Sequence, residues 1–91
     1  MKAHGLRVED CLCLLAYVSR HRGEPQSYRL LDEATGIPHP TIEAIVRDAR
    51  EQGQESLLWG VAHHEGYSFY LYPRRGWEGG LIIDVEHRLQ L

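Results

Sequence analysis

The segment Gly36-Ile37-Pro38-His39-Pro40 restricts most what this 91-residue chain can fold into. Glycine accepts the left-handed backbone that ends a helix, and proline in a first helical turn forfeits no hydrogen bond. Ahead of it, Leu30, Leu31 and Ala34 form the inner face of a helix predicted from Ser27 to Thr35, with the Ser27 hydroxyl as its cap. Behind it, Ile42, Ile45, Val46 and Ala49 follow an i, i+3, i+4, i+7 spacing. They form the core face of a second helix, opened near His39 and stopped by Gly53. Helix, tight turn and helix therefore come as one unit over residues 27–53, and that unit is the layout of a helix-turn-helix.

The remainder of the chain supplies what packs on this unit. Val8, Cys11, Leu12, Leu15 and Val18 recur at helical spacing and predict a first helix over residues 6–22. Leu14 and Tyr17 widen its apolar face, so that cover from two sides, including a second subunit, is expected. Gly23 ends it and Pro25 prevents its resumption. After Gly53 the apolar period changes to two: Leu57 to Ala62 and Tyr67 to Tyr72 flank His63-His64-Glu65-Gly66, which predicts a β-hairpin over residues 57–72. In its aromatic cluster, Trp59 and Phe69 are expected in the core, and Tyr70 and Tyr72 under the tail or at an interface. Pro73 to Gly80 reads as a loop. The tail, residues 81–91, alternates Leu81, Ile83, Val85, Leu89 and Leu91 with polar residues and is expected to be a strand, with a helix through Ile82, Val85 and Leu89 as the alternative. The expected fold is α+β: one winged helix-turn-helix domain over residues 1–91, with three helices, a β-hairpin wing and a C-terminal strand-like extension.

Composition narrows the function. A formal net charge of −3 denies the chain the global attraction to phosphate that non-specific DNA binders rely on. Within the motif, Asp32, Glu33, Glu43 and Asp48 face only Arg29, Arg47 and Arg50. No apolar run approaches the ~18 residues that span a bilayer, and Met1-Lys2-Ala3-His4-Gly5 is no signal peptide, so a cytoplasmic protein without membrane contact is expected. Cys11 and Cys13 point about 200° apart on one helix and share neither a disulfide nor a metal there. No histidine pair has the spacing of a helical metal site. No nucleophile elbow or phosphate-cradling glycine loop is present. Neither enzyme activity nor a cofactor is expected.

From Leu30 to Gly53 the chain resembles the helix-turn-helix of winged-helix transcription regulators of bacterial or phage type, in particular the N-terminal domains of IclR-type repressors. Ala34-Thr35-Gly36-Ile37-Pro38 and the entry Thr41-Ile42 carry the likeness. Gly66-Tyr67 and the residues before it also resemble the wing of small phage proteins of this class. The resemblance implies DNA binding. The family usually has alanine four positions before the turn glycine, and this chain has Asp32. Either Asp32 lies just outside the helix crossing, or the helix pair is opened relative to the family.

The expected function is sequence-specific binding of double-stranded DNA in transcriptional regulation, as a homodimer on two half-sites, with the second motif helix in the major groove. The residues expected to contact DNA are His39, Thr41, Glu43, Ala44, Arg47 and Arg50 on that helix, His63 and His64 at the hairpin tip, and Arg74 and Arg75 beyond it. Arg47 suits guanine, Glu43 suits the cytosine amino group, and Thr41 suits phosphate or a thymine methyl. The alternative is a winged-helix protein-interaction module, an adaptor or inhibitor of a larger complex. In that case Glu43 and Arg47 merely form a surface ion pair.

Overall fold

The structure, a computed structural model, describes residues 5–21, 26–73 and 80–87, with side chains through residue 69. In chain order the elements are α1 (Val8–Ser19), β1 (Gln26–Ser27), α2 (Tyr28–Thr35), α3 (His39–Gln52), a 3-10 turn (Gly53–Glu55), α4 (Leu57–Glu65), β2 (Tyr67–Pro73) and β3 (Gly80–His87). The domain is small and mostly helical. Its strands form one antiparallel sheet in the order β1-β3-β2. The register pairs Tyr67 with His87, Pro73 with Leu81, and Gln26 with Leu81. The sheet lies beside the helices, with α1 packed against α4 and β3.

One core holds the helices together. Cys11, Leu14, Leu15 and Val18 of α1 meet Leu31 of α2, Ile42, Ile45, Val46 and Ala49 of α3, and Leu58, Val61 and Ala62 of α4. Ile37 plugs the turn into the same core, and Phe69 closes it from β2, its ring 4.8 Å from that of Trp59. The expected inner face of α1 needs correction. Val8 and Leu12 are 49% and 37% exposed, and the core stripe instead runs through Leu14. Leu30 at 43% and Ala34 are also exposed, because an eight-residue helix lying on α3 buries only its central position, Leu31.

The larger correction concerns residues 57–65. They form a fourth helix, not the first strand of a hairpin over residues 57–72. Leu57, Leu58, Val61 and Ala62 follow i, i+1, i+4, i+5, which a helix gathers on one side and a strand would scatter over both faces. Two caps fix its start. The Ser56 hydroxyl accepts from the Trp59 N–H at 3.2 Å, and the Asp48 carboxylate accepts from the Leu57 N–H at 3.1 Å. Gly66, at φ 80°, ends it in the left-handed conformation. The hairpin is therefore β2 with β3, and the expected tail strand is its second arm. Residues 74–79 join those arms and, like Gly23, Pro25 and residues 88–91, lie outside the described residues. The side chains of Tyr70 and Tyr72 lie outside them as well.

The two cysteines differ sharply. Burial pushes the Cys11 thiol up to about 12, with the carboxylates of Asp10 and Asp48 adding to the effect, whereas Cys13 is exposed. At about pH 8 a thiol reagent is expected to modify Cys13 alone in the native protein and both cysteines after denaturation. Rapid native modification of Cys11 would place it outside the core.

Candidate nucleic-acid interface

The turn between α2 and α3 is held by side chains as well as by backbone. Gly36 takes φ 80°, and its N–H donates to the Asp32 carbonyl at 2.8 Å. The Thr35 hydroxyl donates to the Leu31 carbonyl at 2.6 Å and accepts from the Ile37 N–H at 3.2 Å. Pro38 opens α3, its carbonyl accepting from the N–H groups of Thr41 and Ile42.

Asp32 has a specific task in this turn. Its carboxylate Oδ2 accepts from the backbone N–H of His39 at 3.1 Å and so caps the start of α3 from the neighbouring helix. An acceptor with negative charge is favoured there by the unpaired amides and by the helix dipole. Asp32 thus ties α2 to α3, where alanine would only let the helices approach. Asp32→Ala is expected to cost about 0.5–2 kcal/mol of stability in a urea titration. A gain in stability would instead mean that alanine fits better at this position.

With the turn fixed, α3 presents one outward ridge. At about 100° per residue, His39, Arg50, Glu43 and Arg47 fall within about 80° of arc and span roughly 16 Å along the axis. Glu43 sits between the other two members of an i, i+4 ladder. One carboxylate oxygen lies 3.8 Å from His39 Nε2 and the other 3.9 Å from Arg47 Nη2. All three side chains are about half exposed, Arg47 most at 61%. Arg50 has no ion-pair partner among the described residues.

Tyr28, which no sequence pattern singles out, completes this face from the first turn of α2. Its ring centroid is 5.3 Å from that of His39. Together with Glu43, Val46, Arg47, Arg50 and Glu51 it lines a shallow groove of about 360 Å³. Partial burial pushes its hydroxyl above the ordinary tyrosine range, with Arg50 opposing, Glu43 adding and Arg47 opposing.

The other expected contact residues are dispersed. Ala44 is half-buried beside the ridge. Thr41 lies about 120° of arc beyond Arg47, and it lines a separate groove of about 570 Å³ with Arg7, Cys13, Gly36 and Pro38. His63 and His64 occupy the last turn of α4 and are not at a hairpin tip, which corrects their assignment to the wing. Both are exposed there, where a helix C-terminus favours positive charge, and His64 Nδ1 lies 3.5 Å from the Glu65 carboxylate. Arg74 and Arg75 lie outside the described residues. Among the described residues no group of three or more His, Cys, Asp or Glu side chains could hold a metal ion, and no helix is long and apolar enough to cross a membrane. No protein-family model, curated protein or solved structure matches this chain.

Proposed function

We propose that this domain is a winged helix that binds double-stranded DNA in transcriptional regulation, with α3 in the major groove and the β2–β3 hairpin against the flanking backbone. The observation that carries the reading is the α3 ridge. A helix pair locked by Gly36 and by the bond from His39 to Asp32 offers His39, Glu43, Arg47 and Arg50 on a free face of groove-reading length. The order β1-β3-β2 supports it, because a β2–β3 hairpin at one edge of the sheet is where a wing would lie. By sequence, Arg74 and Arg75 fall between those two strands. A homodimer on two half-sites about 34–36 Å apart supplies the affinity that a chain of net charge −3 lacks alone.

Selection of duplexes from a random library, followed by affinity measurement across salt concentrations, tests this reading. The expected result is an enriched motif with binding that weakens as salt rises, each phosphate contact contributing about 0.9 to the logarithmic slope. Failure to enrich any duplex would sink it. A second reading, a protein-interaction module, draws on the paired charges of this face, in which Arg47 faces Glu43 and the nearby Arg29 faces Glu33. That reading takes over if no duplex is enriched.

A further inference from the structure

We infer that Glu43 is a specificity filter: in the free protein it occupies Arg47 and His39, and on a matching site it exchanges them for the amino group of a cytosine. The inference rests on the DNA-binding reading above. Glu43 stands at the centre of the ridge with its two carboxylate oxygens directed to different partners, 3.8 Å to His39 and 3.9 Å to Arg47. Both distances are loose, and an exposed i, i+4 pair such as Glu43–Arg47 is worth only about 0.3–0.5 kcal/mol. A weakly held carboxylate can be drawn away by a better donor. It cannot be ignored by a phosphate.

The balance differs between two kinds of DNA. On a random sequence, phosphates repel Glu43, and the arginine they would attract has that carboxylate 3.9 Å away. On a matching sequence, cytosine N4 donates to Glu43 while guanine O6 and N7 accept from Arg47, and each good base contact is worth about 1–3 kcal/mol of discrimination. Glu43 and Arg47 are one helical turn apart, which directs them to neighbouring base pairs. Glu43 therefore lowers affinity everywhere except at a site with cytosine in the right register. The low net charge that argued against DNA becomes, at this position, a device against non-specific DNA.

The decisive comparison uses the full chain and its Glu43→Gln, Glu43→Ala and Glu51→Gln variants. Glu51 lines the same groove but has no ion-pair partner among the described residues, so its substitution removes an equal charge without releasing Arg47. Binding to a labelled random-sequence duplex is read by fluorescence anisotropy from about 50 to 200 mM salt, and base preference is read by selection. Glu43→Gln and Glu43→Ala are expected to bind the random duplex about fivefold or more tighter at the lowest salt, with the salt slope steeper by about one contact. Glu43→Gln is further expected to change the selected base at one position from cytosine to adenine, since glutamine pairs with adenine N6 and N7. Glu43→Ala should lose preference there. Equal effects of Glu43→Gln and Glu51→Gln, or an unchanged base preference, would overturn the filter while leaving DNA binding intact. If no variant binds any selected duplex, the DNA reading falls and takes the filter with it.

Discussion

Leu58→Ala is expected to lower the unfolding free energy by about 2–5 kcal/mol, while Gly60→Ala raises it by up to about 1 kcal/mol. Leu58 is fully buried against the core that joins α1, α3 and α4, so truncation leaves a cavity among side chains that cannot all collapse into it. Gly60 is exposed, has no left-handed backbone, and a Cβ there would meet nothing within 4 Å. Alanine at that position gains helix propensity at no steric cost. The pair separates helix from strand cleanly. Residues two apart share a face in a strand and lie about 200° apart in a helix. In a strand, burying Leu58 would bury position 60 as well. Urea denaturation of the two variants measures both values, and a loss of stability in Gly60→Ala would contradict α4.

Arg47→Ala is expected to weaken binding to a selected duplex by about 10- to 100-fold, with stability unchanged within about 0.5 kcal/mol. The side chain is 61% exposed and its only ion-pair partner among the described residues is Glu43. Losing that pair removes at most about 0.5 kcal/mol, too little to account for an affinity loss of this size. A bidentate contact to guanine is large enough, and its loss also relaxes preference at one base pair. Uniform weakening on all sequences would instead make Arg47 a phosphate contact. No change at all would remove α3 from the interface.

The motif region was legible because backbone chemistry determines it. Gly36 is needed for φ 80°, Pro40 is tolerated only in the first turn of α3, and the four apolar positions from Ile42 to Ala49 define one stripe. The α4 segment reads as a strand for a physical reason. Its apolar run is short, contains Trp59 and Val61 with glycine between them, and suits a strand by composition. The features against that reading were local, namely Ser56 as a cap, Gly66 as a terminator, and the i, i+1, i+4, i+5 spacing.

Asp32 shows a different limit. Its partner is the backbone of a residue seven positions away, across a turn whose shape brings them together. Seen in sequence, it is only an acid four positions before the turn glycine. The exposed Leu30 has the same cause, since helical spacing identifies a face but not how deeply a short helix is covered. For the site, the α3 ridge followed from periodicity, whereas Tyr28 belongs to it through the packing of α2 on α3. Because residues 57–65 are helical, His63 and His64 lie in the last turn of α4 and not at the tip of a hairpin.

Amide chemical-shift mapping of the protein with a selected duplex shows which surface faces DNA. The largest shifts are expected on His39, Glu43, Arg47 and Arg50, with Tyr28 beside them and a second group in the β2–β3 connection. Little change is expected at Gly60, His63 and His64 on the outer face of α4. Shifts centred on that face, or on Val8 and Leu12 of α1 with the α3 ridge unmoved, would contradict α3 as the DNA-facing surface.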